Sequence, residues 1–318
     1  MELREELLPA LGADDVLVET VCSAISAGTE MLLYHGQFPQ LNDAYDFLSS
    51  DLKYPLAYGY ACVGVIKETG SAVDRGMRGR IVFGFQPHTT AFVCHPSALM
   101  VAPASLPAEA CAFLPNMETA VNLIQDGAPI LGERVLVLGQ GVIGLLVTSL
   151  LEEFSLELLV TSDWYELRRK ASRAIGVQDA FDPAQPAHSD YAQRFDLTFE
   201  LTGSPSALDE AIAFTTFSGR IVIGSWYGAK RAAVDLGGAF HRSRIKLISS
   251  QVSTIAPELS GRWDKARRFG VAWEALNRIQ PQKWITHRFH IGEAEKAYRL
   301  LDANPQETIQ VMFDFAHQ

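Results

Sequence analysis

Two kinds of hydrophobic pattern follow each other along the chain. In residues 15–26, 62–67 and 80–85, apolar and polar positions alternate, and glycines separate the runs. Alternation with a period of two is typical of β-strands that bury one face. From Arg134 onwards, continuous apolar runs are separated by segments with the spacing of amphipathic helices. The sequence therefore predicts a β-rich part, followed by a part in which strands and helices alternate.

The alternating part predicts an α/β fold. Its predicted strands are residues 135–138, 156–161, 195–201, 220–224 and 244–250. Helices are predicted between these strands, one of them at 206–216. This alternation is typical of a Rossmann domain, which has a doubly wound parallel sheet. A helix pair at 107–127 precedes this part. A long helix, a strand at 285–289, a helix at 292–302 and a strand at 308–315 follow it.

A glycine motif, Gly139-Gln140-Gly141-Val142-Ile143-Gly144, lies directly between the first of these strands and a helix. Gly139 permits a tight turn, Gly141 lets the backbone approach a pyrophosphate, and Gly144 allows close packing of the helix on the strand. The helix N-terminus adds N–H groups and a positive dipole end. A glycine-rich turn in another kind of α/β unit is the alternative. The flanking strand and helix favour a dinucleotide site formed by the six residues of the motif.

Asp163, which comes 163 − 144 = 19 residues after Gly144, bears on which dinucleotide binds. A carboxylate at the end of the second strand accepts hydrogen bonds from ribose hydroxyls and repels a 2′-phosphate, so NAD is favoured over NADP. The basic run Arg168-Arg169-Lys170 is the competing signal, because an arginine can receive a 2′-phosphate. We interpret this run as a solvated helix face, while keeping Arg168 as a candidate cofactor contact. Thr202-Gly203, in the turn after the third strand, completes the cofactor candidates.

Composition and charge exclude several classes of function. With 318 residues, the chain is long enough for two domains. The net charge is −10 and no basic stretch is longer than three residues, so we expect no nucleic acid partner. No apolar run reaches the length of a membrane span, and the first six residues lack the order of a signal peptide. We therefore expect a cytoplasmic protein without a membrane partner. The four cysteines form no C-x-x-C pair, which argues against a zinc knuckle or a disulfide framework.

At several points the chain resembles the medium-chain dehydrogenase/reductase superfamily. The resembling stretches are Thr29-Glu30…Gly36, Gly59…Gly64, Leu114-Pro115…Glu118-Thr119-Ala120, the glycine motif with Asp163, Glu200-Leu201-Thr202-Gly203-Ser204, and Thr286-His287-Arg288-Phe289…Ala294…Ala297-Tyr298. The resemblance implies a GroES-like, β-rich catalytic domain joined to a Rossmann domain. We place the GroES-like domain at residues 1–123 and the Rossmann domain at 124–262. A C-terminal return that completes the catalytic domain is placed at 263–318.

Within the superfamily, the chain resembles the branch typified by bacteriochlorophyllide hydroxyethyl dehydrogenase. The residues that carry this likeness are Ser23-Ala24-Ile25-Ser26-Ala27-Gly28-Thr29-Glu30, Ser249-Ser250-Gln251-Val252-Ser253 and Gly261-Arg262-Trp263-Asp264. They indicate the branch and not the substrate, because many members of the branch do not act on pigments.

The positions of the catalytic zinc ligands are altered. Zinc enzymes of the superfamily use a cysteine two positions before the Thr or Ser of the first loop, and a His-Glu pair after the glycine of the second. Here Ala27 precedes Thr29 by two positions, and Tyr60-Ala61 follows Gly59. None of these side chains is a zinc ligand. The lobe of four cysteines that holds a structural zinc is also missing, so we predict a protein without metal.

Without a metal, hydride transfer needs another group to stabilise the substrate oxygen and to exchange its proton. The resemblance gives Thr29 the role of a proton relay; the alternative is a threonine that caps a loop. Tyr60 is a candidate proton donor, or an aromatic that fills the vacated metal space. His88 is a candidate proton exchanger, or a surface-loop histidine, and Glu30 is expected to orient the loop. Further candidates for the second group are Tyr34, His35, Tyr58 and His241.

Three functions are compatible with these residues. The first is the zinc-independent, NAD(H)-dependent interconversion of a secondary alcohol and a ketone, with a small-molecule substrate. The second is the reduction of a carbon–carbon double bond, as in zinc-free quinone and enoyl reductases. Asp163 argues against the second, because those reductases usually prefer NADPH. The third is a non-catalytic NAD(H)-binding sensor. We predict the first.

Two expectations concern the surroundings of the site and the assembly. Residues 37–53 contain polar and aromatic side chains and are expected to form a loop over the substrate. The last strand of the Rossmann sheet, Arg244–Ser250, is apolar at alternate positions and would otherwise leave a bare edge. The resemblance implies that this edge pairs with its copy in a homodimer.

Overall fold

A computed structural model of the protein describes residues 1–38, 54–185 and 190–315. The loop expected at 37–53 lies outside the described residues, except for its first two positions. The chain forms two compact units. The first comprises Met1–Pro115 and Gln280–Gln318, and the second comprises Asn116–Ile279. In the described ranges, none of the helices is both long enough and apolar enough to span a bilayer.

The described residues contain thirteen strands. They are β1 (Val16–Ala24), β2 (Cys62–Thr69), β3 (Ile81–Gly84), β4 (Ala91–Cys94), β5 (Leu99–Val101), β6 (Arg134–Leu138), β7 (Leu158–Ser162), β8 (Asp179–Phe181), β9 (Phe195–Glu200), β10 (Thr215–Ile223), β11 (Lys246–Ser249), β12 (Ile285–His290) and β13 (Gln310–Asp314).

Nine α-helices lie in the same residues. They are α1 (Ala27–Tyr34), α2 (Ala108–Cys111), α3 (Leu114–Gly127), α4 (Val142–Glu152), α5 (Glu166–Arg173), α6 (Ala207–Phe214), α7 (Ala239–Arg242), α8 (Lys265–Ile279) and α9 (Ala294–Ala303).

The first unit is built on a seven-stranded sheet in the order β12-β13-β1-β2-β3-β5, with β4 paired to β1. In β1, Val16 and Val18 are fully buried whereas Val21 is exposed, as the alternation predicts. On one side of the sheet they pack with Cys62, Ile66, Val82, Phe92 and Leu99. A second cluster joins α9 to β13 and includes Ile25, Tyr298 and Phe313. The predicted β-rich domain is confirmed.

The second unit is a parallel sheet in the order β11-β10-β9-β6-β7-β8. Strands β6 and β7 are buried at every position but the first, as is typical of a parallel sheet with both faces covered. The chain runs outward from β6 to β8 and then returns to β9 on the other side of β6, so the strand order reverses between β6 and β9. Dinucleotides bind at the carboxyl ends of the strands at such a reversal. The predicted Rossmann sheet is confirmed.

The helix predicted at 206–216 ends at Phe214, and β10 begins at Thr215, five residues before the predicted strand. Thr215 has an extended backbone (ψ 131°) and its hydroxyl donates to the carbonyl of Ala211 at 2.7 Å. Because this side chain ends the helix and Thr215 pairs with Phe195, the strand starts at once. The helical spacing of residues 206–216 does not reveal this change.

The bounds of the two units differ from the predicted domain bounds in two segments, residues 116–123 and 263–279. Both segments belong to the second unit. Helix α8 packs on α4, and its buried Arg268 donates to Glu118 of α3 at 2.7 Å. These contacts join the two segments to each other and to α4 within the second unit, and the first unit resumes at Gln280.

Candidate functional site

The glycine loop of the second unit has one open position and two tightly packed ones. Gly139 has a φ of +89°, and a Cβ there would lie 2.6 Å from the carbonyl oxygen of Leu201. A Cβ on Gly144 would lie 1.9 Å from the carbonyl oxygen of Gly139. At Gly141, by contrast, a Cβ would meet only Nη1 of Arg168, at 4.0 Å. The loop therefore has the space over its second glycine that a pyrophosphate requires.

The other three residues of the motif complete this loop. The buried Gln140 donates from Nε2 to the carbonyl of Gly139 at 3.1 Å and accepts from Thr148 of α4 at 3.1 Å. Val142 and Ile143 form the first turn of α4, whose N-cap is Gly141. The first turn of a helix directs backbone N–H groups outward, where they can bind an anion. The residues present fit a dinucleotide.

Asp163 lies directly after β7 and is 7% exposed. Its Oδ2 accepts from the backbone N–H of Gln140 at 2.7 Å, and its Oδ1 accepts from that of Tyr165 at 2.8 Å. Nη1 of Arg168 lies 3.9 Å from Oδ2. The carboxylate is thus fixed to the glycine loop, with a cation beside it that offsets part of its charge.

The interpretation of Arg168-Arg169-Lys170 as a solvated helix face is wrong for two of the three residues. Only Lys170 is exposed. Arg169 is buried, donates to the backbone carbonyls of Asp163 and Trp164 at 2.7 and 2.8 Å, and pairs with Asp182 at 3.1 Å. The Arg168 guanidinium lies over the Tyr165 ring, 4.8 Å from its centroid. Both arginines therefore support the turn that carries Asp163.

Thr202 and Gly203 lie in the turn after β9, and Glu200, a fully buried acid at the end of that strand, binds Thr202. Glu200 is the register partner of Leu138, the last residue of β6 before the glycine loop. It accepts from the backbone N–H of Thr202 at 2.8 Å, from the Thr202 hydroxyl and from the Tyr227 hydroxyl. Burial, together with the negative charge of Glu200, raises the pKa of Tyr227. We did not single out Glu200 or Tyr227 from the sequence.

In the first unit, Thr29 and Glu30 lie in α1 and not in a loop. Glu30 is 2% exposed. Its Oε1 accepts from the backbone N–H of Ser26, the N-cap of α1, at 2.8 Å. This contact resembles the capping box, in which an acid of the first turn returns to the N-cap. It is the contact that an orienting role for Glu30 requires.

His88 completes a buried chain of polar groups around Glu30. Its Nε2 lies 3.0 Å from Oε2 of Glu30, and its Nδ1 lies 2.7 Å from Oγ of Ser23. The hydroxyl of Tyr298 donates to the same Oε2. The His88 side chain is 7% exposed, so it is not the surface-loop histidine considered as the alternative. Gly59 leaves the room for it, since a Cβ there would lie 2.8 Å from the imidazole ring.

Tyr60 belongs to a cluster of three half-buried hydroxyl groups. Its phenol donates to Oγ of Ser26, and the Thr29 side chain lies near enough to lower its pKa. Burial raises the pKa of Tyr60, and the hydrogen bonds with Ser26 and Thr29 oppose that rise. The structure therefore brings the four predicted residues Thr29, Glu30, Tyr60 and His88 together, and Ser26 links them.

A zinc ion does not fit the positions where the superfamily resemblance puts its ligands. Ala27 and Ala61 offer no ligand atom, and the Tyr60 phenol is bonded to Ser26. The nearby Cys62 donates to the carbonyl of Pro87 at 3.1 Å, and burial raises the pKa of its thiol to about 12, which disfavours a thiolate ligand. Within the described ranges, no group of three or more His, Cys, Asp or Glu side chains could hold a metal ion.

The remaining candidates occupy other places. Tyr34 stacks on Tyr298, with ring centroids 5.8 Å apart, and Tyr58 contacts Tyr60 edge to face at 6.3 Å. His35 is exposed and lies 3.0 Å from Asp302. The exposed His241 is in α7 of the second unit.

Ser23, Ser26 and Tyr298 are site residues that the sequence reasoning missed. The spacing of Ser26 and Glu30 could have suggested the cap. Tyr298, in contrast, is 268 residues from its partner Glu30, and no local pattern signals such a contact.

Comparisons with known proteins agree with this fold. No protein-family model matches the chain. An L-threonine 3-dehydrogenase from Saccharopolyspora erythraea is 26% identical over 265 residues, which cover 70% of this chain and 73% of that protein. The structure of RspB from Escherichia coli CFT073, described as an alcohol dehydrogenase with NADH, has a TM-score of 0.77. It is 19% identical and the match covers 97% of this chain and 94% of that one.

A second structure, a proposed zinc-binding dehydrogenase from Sinorhizobium meliloti 1021 bound to NADP, also has a TM-score of 0.77. It is 19% identical, with 98% of this chain and 95% of that one covered. These likenesses extend over both units, and they establish the fold. The chain is therefore similar to alcohol dehydrogenase-type enzymes and shares the medium-chain dehydrogenase/reductase fold.

Proposed function

We propose that the protein is a zinc-independent, NAD(H)-dependent oxidoreductase that interconverts a secondary alcohol and a ketone. The observation that carries this proposal is the hydroxyl cluster of Tyr60, Ser26 and Thr29, in which Tyr60 stands at a position that resembles that of a zinc ligand. The cluster supplies hydrogen-bond donors for a substrate oxygen where the zinc enzymes use a Lewis acid.

The second unit supplies the cofactor contacts. The backbone at Gly141 and the first turn of α4 would hold the pyrophosphate, and Asp163 would hold the adenosine ribose. The turn at Thr202-Gly203 follows the carboxyl end of β9 and would contact the nicotinamide half. When bound, NAD(H) supplies the carbon that accepts or donates the hydride.

The first unit supplies the proton. In the reducing direction the Tyr60 phenol donates a proton to the ketone oxygen, and in the oxidising direction the phenolate accepts one from the alcohol. Thr29 passes the proton onward through its hydroxyl. Glu30 and His88 are buried and act through Ser26, so we assign to them the positioning of the hydroxyl cluster.

The named relatives favour alcohol oxidation over double-bond reduction. The relative from Saccharopolyspora erythraea is named for the oxidation of carbon 3 of threonine, which carries a secondary hydroxyl. The dehydrogenase from Sinorhizobium meliloti is described as zinc-binding, and zinc independence is therefore the point at which this chain departs from it. The departure rests on Ala27, Tyr60 and Ala61. We also place the chain in the branch typified by bacteriochlorophyllide hydroxyethyl dehydrogenase, on the three stretches that carry that likeness.

The proposed function is tested with purified protein, NAD(H) and a panel of polyols, hydroxyethyl aromatics and enones, combined with elemental analysis for zinc. We expect turnover with secondary alcohols or ketones, no stoichiometric zinc, and full activity after chelation. Turnover of enones alone would favour a double-bond reductase. NADH binding without any turnover would favour a sensor, and one zinc per chain would contradict zinc independence.

Cofactor choice follows from Asp163. We expect NADH to bind at least ten times more tightly than NADPH, a difference of about 1.4 kcal/mol or more. Asp163→Ser should narrow this gap, since it removes the repulsion of a 2′-phosphate and frees Arg168, now 3.9 Å from the carboxylate. Asp163→Ser combined with Arg168→Gln should bind NADPH less well than Asp163→Ser alone, while Lys170→Gln serves as the control. Titration that shows equal or tighter NADPH binding to the unmodified protein would end the NAD assignment.

The candidate catalytic residues lead to a second prediction. Thr29→Val and Tyr60→Phe should each lower turnover by about a hundredfold, the typical loss when one such donor is removed, and His88→Ala should lower turnover because the hydroxyl cluster loses its positioning. The affinity for NADH should stay within about threefold, because none of the three contacts the adenosine half. His35→Ala is the matched control, since His35 is also paired with an acid but lies outside the network. Full turnover in all three variants would mean that the site is elsewhere. Full turnover in Tyr60→Phe alone would mean that Thr29 and bound water transfer the proton.

Assembly is a third prediction, a homodimer through β11. This strand is the edge of the parallel sheet, and its Leu247 is 37% exposed. Light scattering should give twice the chain mass of 35.0 kDa. Leu247→Lys should weaken the dimer, because a charge on an edge strand opposes pairing. Val101→Lys, at an exposed position of the edge strand β5 in the other sheet, should not. A mass of 35.0 kDa at all concentrations would refute the dimer.

A further inference from the structure

We propose that Ser26 is a positioning residue of the reaction: its hydroxyl holds the Tyr60 phenol in place and stabilises the phenolate that forms when the phenol gives up its proton. This inference rests on the proposed function, and it adds a residue that the superfamily resemblance does not supply. Two layers of polar groups, one inside the other, support it.

The inner layer fixes the backbone of Ser26. The Ser26 N–H donates to Oε1 of Glu30 at 2.8 Å. Oε2 of Glu30 contacts His88 at 3.0 Å and accepts from Tyr298, and His88 contacts Ser23 at 2.7 Å. These side chains come from β1, α1, α9 and the segment between β3 and β4, so four parts of the first unit meet around one carboxylate. Each is nearly or fully buried and remains out of reach of a substrate.

The outer layer consists of the hydroxyls of Ser26, Thr29 and Tyr60, all half-buried. Ser26 and Thr29 are three residues apart at the start of α1 and therefore lie on the same side of the helix. The Tyr60 phenol donates to Oγ of Ser26, and the Thr29 side chain lies near enough to lower the pKa of the phenol. The phenol is thereby kept in one orientation, which the proton transfer requires.

The Ser26 hydroxyl also stabilises the Tyr60 phenolate after the proton has been transferred. During ketone reduction the phenol oxygen loses its proton to the substrate oxygen, whose carbon is the one to which a bound NADH would supply the hydride. The Ser26 hydroxyl then rotates and donates to the phenolate, which returns to the phenol when it takes a proton from water. A donor to the charged form lowers the pKa of an acid. Without Ser26, burial and the negative charge of Glu30 would raise the pKa of Tyr60 further.

The groups that face Tyr60 define what a pH profile would report. They are the Ser26 and Thr29 hydroxyls, the Glu30 carboxylate with His88 behind it, and the Tyr58 ring. Ser26→Ala removes only the Ser26 hydroxyl from this set, because the backbone N–H that donates to Glu30 is retained.

The experiment compares Ser26→Ala, Ser26→Thr and Ser97→Ala. Ser97 carries a hydroxyl in the same unit, 2.7 Å from His95 on the surface, and is the matched control. In the alcohol-oxidising direction we expect Ser26→Ala to lower kcat at least about tenfold at neutral pH, and to move the rising limb of the kcat profile to higher pH. Ser26→Thr should restore both, and the Kd for NADH should be unchanged. A normal kcat and an unshifted profile in Ser26→Ala, or no rescue by Ser26→Thr, would overturn the proposal.

A second measurement separates this proposal from the proposed function. Urea unfolding of Ser26→Ala, Tyr60→Phe and the double variant reports their contact without any turnover. We expect the losses in the unfolding midpoint to be non-additive, because both single variants remove the same hydrogen bond. Additive losses would refute the contact between Ser26 and Tyr60. If the unmodified protein oxidised no alcohol while the losses were non-additive, the proposed function would fail and the Ser26 contact would stand without its catalytic role.

Discussion

We expect Gly144→Ala to raise the Kd for NADH about a hundredfold and to destabilise the second unit. The added Cβ would lie 1.9 Å from the carbonyl oxygen of Gly139, and neither atom belongs to a flexible side chain. Either α4 or the turn at Gly139 must move. Overpacking of this kind costs about 1–3 kcal/mol. Loss of one hydrogen bond to a charged group costs about 1.5–3 kcal/mol more in binding, and about 2.7 kcal/mol corresponds to a hundredfold.

NADH titration and urea unfolding measure both effects. Gly270→Ala is the control, because Gly270 also lies in a helix of the second unit, α8, but a Cβ there meets nothing within 4 Å. That variant should be as stable as the unmodified protein or more so, since alanine lowers the entropy of the unfolded chain. Normal NADH affinity in Gly144→Ala would show that the loop is not the pyrophosphate site.

A second large effect is expected from Arg268→Met. Arg268 is fully buried and donates to Oε1 of Glu118 at 2.7 Å, to Asn122 at 2.6 Å and to the backbone carbonyls of Val252 and Thr254. Its removal leaves the buried carboxylate of Glu118 without its main partner. Breaking a buried pair in this way costs about 3–5 kcal/mol, and we expect that loss in the free energy of unfolding of the second unit.

Denaturant unfolding followed by tryptophan fluorescence and circular dichroism would measure the loss. Combining Arg268→Met with Glu118→Leu should recover part of it, because no charge is then left buried without a partner. Arg299→Met removes one partner of an exposed pair with Glu295 and should leave the transition unchanged. A transition unchanged in Arg268→Met as well would mean that the buried network adds nothing to stability.

The parallel sheet was predictable because its signal is local. Strand β6 is a continuous apolar run after Arg134, and the glycine motif directly follows it. The conformations of Gly139 and Gly144 are also local requirements, so the identities of these two residues are enough to indicate the turn. The same holds for the alternation in β1, where one face of the strand is buried.

The interactions of the charged residues were harder to predict. Arg169 follows a polar helical pattern, yet it is buried because backbone carbonyls at the end of β7 accept its hydrogen bonds. A sequence pattern shows which side chains are polar, but it does not show which backbone carbonyls are placed to accept their hydrogen bonds. Thr29 was expected in a loop for a similar reason, since α1 depends on a cap formed by a backbone N–H and Glu30.

The candidate site was predicted as single residues and not as a network. Thr29, Tyr60, His88 and Glu30 were each named, but the groups that join them are distant in the sequence. His88 is 65 residues from Ser23 and 58 from Glu30. Such contacts depend on how the strands of the first sheet are ordered, which alternation alone does not determine.

The path of the chain through the two units has a consequence for biosynthesis. Strand β13, which comes from the last part of the described chain, lies between β12 and β1 and pairs with both. Residues 116–279 are contiguous, and their sheet is complete before the ribosome reaches β12. The first sheet, in contrast, stays open at β1 until β13 has been made. Tyr298 also reaches Glu30 only at that late point, so the nucleotide-binding fold can form during translation while the proton-transfer residues are assembled last.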